Sequence, residues 1–158
     1  HLVAYLAGRM WVAATIQGKH VVGWSEGAGK LGRFYPAFYR QFNARVTMLR
    51  PVDDGVWIGT QRETWHLAGN VPPHKPQALL TRVASHGVIE GTDLTVPGNR
   101  LGKGQLQNEV ALWTSTQGVS LGANEGFYKD LTRRRLLLPA ASRGAALYRD
   151  GQYIALIA

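Results

Sequence analysis

The stretch Pro51-Val52-Asp53-Asp54-Gly55-Val56-Trp57-Ile58-Gly59-Thr60 decides how this chain reads. An apolar run ends on two carboxylates and a glycine, and a second apolar run starts at once. Asp-Gly tolerates the positive φ of a tight hairpin, so the stretch predicts two antiparallel strands joined by a short turn. After Arg62-Glu63 the run Thr64-Trp65-His66-Leu67-Ala68 adds a third strand.

Working outward, the same grammar recurs. Upstream, Leu2 to Ala7 leads through Gly8-Arg9 to Met10-Trp11-Val12-Ala13-Ala14, then past Gln17-Gly18-Lys19 to His20 through Glu26. Downstream, Val110 to Thr116 leads through Gln117-Gly118 to Val119-Ser120-Leu121-Gly122-Ala123, then to Phe127 through Leu131. A last unit runs from Ala145 to Arg149, turns at Asp150-Gly151 and continues through Gln152 to Ala155. Helical periodicity is scarce, while short β-branched and aromatic runs between glycine turns are everywhere. The repeat predicts an all-β chain of antiparallel meander blades, a partial β-propeller. Blade units fall at about 2–42, 45–91 and 92–138, with the start of a further unit at 144–158, all in one domain spanning 1–158. Middle-strand positions Trp11, Trp57, Ser120 and Tyr153 align but share no single period. The excess lies in 69–87 and 92–104, expected to be rim loops or fourth strands. Both ends fall inside strand-like sequence, which predicts an ordered piece of a longer polypeptide.

Composition sets outer bounds. The 158 residues are 45% hydrophobic, so the chain folds around a core rather than staying solvated. Nineteen glycines suit many tight turns, and the absence of cysteine excludes disulfides, thiol catalysis and cysteine–zinc sites. No run approaches the roughly 20 apolar residues of a membrane-spanning helix. The net charge of +8 comes from 18 Lys and Arg against 10 Asp and Glu, with three arginines together at Arg133, Arg134 and Arg135. Such a balance admits nucleic acid or an acidic protein surface. No aromatics interleave with the arginine run as a single-strand groove requires, so a salt-dependent protein interface is the preferred reading.

Reactive constellations do not emerge. Asp53 and Asp54 read as turn residues bonding local backbone, and Glu26, Glu63, Glu90 and Glu109 are scattered. A sialidase-type aspartate box would need Asp where Thr116-Gln117 stand. His20, His66, His74 and His86 lack metal-ligand spacing, and His66, in a strand beside Trp65, is expected to have a hydrogen-bond partner. No Gly-x-Ser-x-Gly elbow occurs, and Gly27-Ala28-Gly29-Lys30 lacks the spacing and the hydroxyl of a phosphate loop. No catalytic residue, metal or cofactor is assigned, and the chain is read as a non-enzyme. Of five tryptophans, Trp11, Trp57 and Trp113 sit at like places in the repeat and are expected to pack between blades. Trp24 and Trp65, on third strands, join Arg133, Arg134 and Arg135 as the candidate partner interface.

Two resemblances follow. Asp54-Gly55-Val56-Trp57-Ile58-Gly59-Thr60 resembles the blade signature of two-component-regulator sensor propellers. The order of segments across nearly the whole chain resembles a virion protein of tailed bacteriophages and prophages. The order runs from Trp24-Ser25-Glu26, through Phe34, Tyr35, Pro36 and Phe42, to the 51–60 stretch and Thr64 through Gly69. It continues with Gly87-Val88-Ile89-Glu90-Gly91-Thr92, Ala111 through Ser115, Lys129-Asp130-Leu131-Thr132 and Arg143 through Leu147. The resemblance implies a structural tail or tail-connector component in the virion, assembled in the bacterial cytoplasm. Its expected partners are other tail proteins in a symmetric oligomer, met by rim loops at 75–85 and 99–108. A sensor or carbohydrate-binding propeller, and a piece of a hydrolase propeller, stay open as alternatives.

Overall fold

The computed structural model describes residues 2–69, 74–75, 78–101, 108–132, 136, 138–139 and 141–158. Arg133, Arg134 and Arg135 lie outside the described residues. What is described is all-β, in consecutive antiparallel sheets in which each strand pairs with its neighbour in sequence.

The first sheet holds β1 (Leu2–Leu6), β2 (Arg9–Ile16), β3 (Lys19–Ser25) and β4 (Phe34–Phe42). The second holds β5 (Val46–Val52), β6 (Gly55–Thr60), β7 (Thr64–Ala68) and β8 (Leu80–Ala84). The third holds β9 (Leu94–Pro97), β10 (Glu109–Ser115), β11 (Gly118–Gly122) and β12 (Tyr128–Asp130). A hairpin of β13 (Gly144–Arg149) and β14 (Gln152–Ile157) makes the fourth. Three-strand meanders are therefore extended to four. The aromatic link is β4, segment 69–87 contains β8, and 92–104 contains β9. The 75–85 stretch, expected as a rim loop, includes β8.

Turn chemistry divides into two kinds. In Ala7-Gly8, Gln17-Gly18 and Asp150-Gly151 both residues have positive φ, the type I′ geometry whose twist matches the strands it joins. Gly55 serves a different need. It lies outside the left-handed region and opens β6, where a Cβ would stand 2.7 Å from the Leu67 carbonyl oxygen and against the His66 ring. The Asp-Gly pair thus marks the hairpin correctly, while its glycine is there for close approach.

Consecutive sheets pack face to face, with the first strands β1, β5, β9 and β13 side by side. We call the face turned to the next sheet in the chain forward and the other rear. Trp11, Trp24, Ala13 and Val22 on the forward face of the first sheet meet Leu49, Val56, Ile58 and Leu67 on the rear of the second. Met48, Val52 and Trp57 meet Ala111 and Trp113 at the next junction. Val110, Leu112 and Leu121 of the third sheet receive Tyr148 and Tyr153 of the hairpin. The alternation of a strand, one residue to each face, makes both faces of the interior sheets apolar.

Strand pairing corrects the repeat alignment. Because β9 opens the third sheet, β10 is its second strand and matches β2 and β6. The turn hydroxyls confirm the match. Thr60 Oγ1 accepts the Arg62 and Glu63 amides and donates to the Glu63 carbonyl, and Ser115 Oγ accepts the Gln117 amide and donates to the Gly118 carbonyl. Pairs Ala4↔Trp11↔Trp24, Arg50↔Trp57↔His66 and Leu94↔Leu112↔Leu121 are then equivalent. Ser120 belongs to a third strand, and Leu112 occupies the place of Trp11 and Trp57. Trp113 sits one residue later on the rear face, where its ring lies 5.5 Å from that of Trp57 across the junction. It packs between sheets as expected, from the opposite side.

Candidate interaction surface

The ends of the array differ from its interior. On the rear of the first sheet, Val3, Tyr5 and Ile16 are each about 60% exposed, and Val12, Ala14 and Val21 share their face. Position Gly23 pairs with Val12 as Trp65 pairs with Ile58 in the second sheet. With no side chain there, the face is hollow: a groove of about 430 Å³ runs over Gly23, between Val12 and Val21 on one side and Phe34, Tyr35 and Tyr39 on the other. At the opposite end, the forward face of the β13–β14 hairpin shows Leu147, Ile154 and Leu156, the last 75% exposed. Contiguous apolar area left open on a folded chain is a mark of interaction.

The tryptophans expected at an interface lie elsewhere. Trp24 has no exposed surface; its ring sits 5.6 Å from Trp11 and 6.2 Å from Phe38, with the Arg40 guanidinium 5.9 Å from its centroid. That is a correction: residue 24 alternates onto the forward face of β3, which the second sheet covers. Trp65 is partly buried, edge-on to Phe42 at 6.0 Å, and packs at the same junction. Neither belongs to the open faces. The exposed aliphatic and tyrosine positions of β1, β2, β13 and β14 were the residues missed, although strict alternation in Leu2–Leu6 and Gln152–Ile157 already divides them into two faces.

Several charged and hydroxyl side chains hold sheets together. Asp53 Oδ2 accepts the Glu109 amide at 3.0 Å, and Asp54 Oδ2 accepts the Glu125 amide at 2.6 Å. The two carboxylates therefore clamp the third sheet and its short 3-10 turn (Asn124–Gly126), a long-range task rather than the local one expected of turn residues. Arg50 donates from Nε to Asp93 Oδ2 at 2.6 Å and from Nη2 to the Asp93 carbonyl at 2.9 Å, tying β5 to the start of the third sheet. Arg45 Nη2 reaches both oxygens of Glu90 at 2.7 Å. The Tyr153 hydroxyl donates to the Thr92 carbonyl and meets Thr114 Oγ1 at 2.7 Å, anchoring β14; burial raises its pKa. In the Gly27–Lys30 link, Lys30 Nζ bonds Glu26 at 2.8 Å, which holds the Glu26 carboxyl below its usual range and raises the lysine.

His66 departs from expectation. Its Nε2 is buried without a hydrogen-bond partner, and Asp54 Oδ1, likewise unpaired, lies 3.9 Å away. Burial lowers the His66 pKa, and the nearby Asp54 charge opposes that in part. The ring packs 4.9 Å from Trp57 instead. Among the described residues, no group of three or more His, Cys, Asp or Glu is placed to hold a metal, and no helix is long and apolar enough to cross a membrane.

Compared with known proteins, the chain matches no family model, no curated protein and no solved structure.

Proposed function

We propose that this chain is part of a β-propeller-like structural protein of a tailed-phage virion, and that it works by binding neighbouring protein subunits rather than by catalysis. The observation that carries the binding role is the pair of open apolar faces. They use the same strand positions that are sealed at the internal junctions, so they are built to be covered by another sheet. The side-by-side first strands of successive four-stranded sheets support the propeller reading. The order of motifs from Trp24-Ser25-Glu26 to Arg143 through Leu147 supports the phage setting. Four of the five tryptophans that could serve a carbohydrate platform, Trp11, Trp24, Trp57 and Trp113, are 1% exposed or less. Arg133, Arg134 and Arg135 supply the electrostatic part of the proposed interface.

The test is location. Antibody raised against the chain should decorate the tail or tail–head connector of purified particles from a producing culture. Confinement of the chain to the soluble fraction, with none on particles, would overturn the virion assignment. Alanine at all three arginines should weaken subunit binding at low salt and matter little at high salt, where screening already removes the attraction; equal binding at low salt would remove the arginine run from the interface.

A further inference from the structure

The 3-10 turn of the third sheet (Asn124–Gly126) closes over a histidine of the second. The His66 side chain is only 6% exposed, with Trp57 packed 4.9 Å from its ring. A Cβ at Gly55 would stand 2.5 Å from Nε2, and one at Gly126, in the turn itself, 3.3 Å from Nδ1. The turn is fastened at the same corner. Asp54 Oδ2 accepts the Glu125 amide at 2.6 Å, while Asp54 Oδ1 lies 3.9 Å from His66 Nε2, too far for a hydrogen bond. Both of these facing atoms are buried and without a partner. A neutral ring tolerates the enclosure, whereas an imidazolium would be cut off from water beside a carboxylate it does not touch. Other ionisable groups on the surrounding elements are exposed or engaged elsewhere. Glu125 of the turn and Glu109 of β10 are exposed, and Asp53 holds the Glu109 amide. Arg50 of β5 is paired with Asp93, and the Tyr128 hydroxyl of β12 meets His86 Nε2 and Ser120 Oγ.

From this we infer that the Asp54–His66 corner is a proton-operated latch between the second and third sheets: when His66 takes up a proton, the 3-10 turn lifts, the Glu125–Asp54 bond breaks and water reaches the ring, while the rest of the junction stays packed. Acid drives the opening because the lifted form binds the proton better. In that form the ring is solvated and titrates at its ordinary 6.5, whereas in the closed form burial holds its pKa lower, with the Asp54 charge opposing in part. Lifting is therefore insensitive to pH above 6.5. Below it the lifted population rises by up to about tenfold per pH unit, and levels off once the closed-form pKa is passed. The event is a local opening of one corner, separate from unfolding of the whole domain.

Amide hydrogen exchange followed by NMR on the whole chain, corrected for the intrinsic effect of pH, tests this. The Glu125 amide reports the latch, and the buried Thr114 amide, bonded to Thr92 Oγ1 at 3.1 Å, reports opening of the whole domain. Glu125 should be protected at neutral pH and lose up to about tenfold of that protection between about pH 7.5 and 5.5. Urea below the unfolding transition should leave its exchange nearly unchanged while speeding that of Thr114, because lifting one turn exposes far less surface than unfolding does. His66→Gln keeps a polar side chain that does not titrate, and there the Glu125 amide should be flat with pH. Should that variant not fold, the wild-type amides decide together with the His66 ring resonances, which must titrate over the same range. Three results would each overturn the inference: no protection at Glu125 or none lost to acid, Glu125 and Thr114 responding alike to urea, or an acid effect that survives in His66→Gln.

Discussion

The junction between the second and third sheets and the rear of the first sheet are made from the same kind of strand, and only one of them is closed. At the junction, Trp57 and Trp113 lie ring to ring, Gly122 makes room for Trp57, and the Trp57 indole donates to the Ala123 carbonyl at 3.1 Å. On the rear of the first sheet, Val12, Val21 and Tyr5 alternate in the same way, yet Tyr5 is 60% exposed and Val12 and Val21 line an open groove. The difference teaches that alternation establishes which residues share a face, whereas the neighbouring sheet establishes whether that face is core. Comparable substitutions should therefore cost much in the first region and little in the second.

Trp57→Ala should cost about 3–5 kcal/mol, as for other large buried aromatics, whereas Tyr5→Ser should change folding stability by less than about 0.5 kcal/mol. Urea denaturation of both variants checks the pair, and similar losses would erase the distinction between closed and open faces. Gly122→Val comes next. A Cβ at 122 would collide with the Trp57 ring, so overpacking should cost about 1–3 kcal/mol, while Gly23→Ala over the open groove should be nearly silent. Arg50→Ala strands the buried Asp93 carboxylate and should lower stability by about 1–3 kcal/mol. Arg45→Ala breaks a pair in which both partners are substantially exposed and should cost under about 1 kcal/mol, less at high salt.

The pH dependence has a definite sign. His66 has a folded pKa below its ordinary 6.5, so the unfolded chain takes up its proton first as pH falls. Stability from this group is intact above 6.5 and declines below it until the folded pKa is reached. Thermal melts across that range should fall more steeply for the wild type than for His66→Gln; parallel curves would assign the acid sensitivity to other groups.

Much of this contrast was legible beforehand. The Asp150-Gly151 hairpin, the strand runs on either side of Gly55, and the burial of Trp11 and Trp57 follow from local turn chemistry and residue size. The long-range roles of Asp53 and Asp54 were not, because nothing near them in sequence announces the Glu109 and Glu125 amides they cap. Strand β9 was only half legible: the 92–104 insert reads as a rim loop or a fourth strand, and only the pairing Leu94↔Leu112 makes Leu94–Pro97 the first strand of the third sheet. Without β9 the third repeat reads one strand out of step, and Ser120 rather than Leu112 aligns with Trp57.

By itself the sequence determined an all-β chain of repeated hairpins, where its turns fall and which residues alternate together, because those depend on neighbours two to four positions away. Only the tertiary structure decided the fate of individual faces. It seated Trp113 on the rear rather than the forward side, buried Trp24, and left Val3 and Leu156 uncovered. The physical reason is the two-residue period of a strand: one step of register sends a side chain to the opposite face, and register is set by strands distant in sequence.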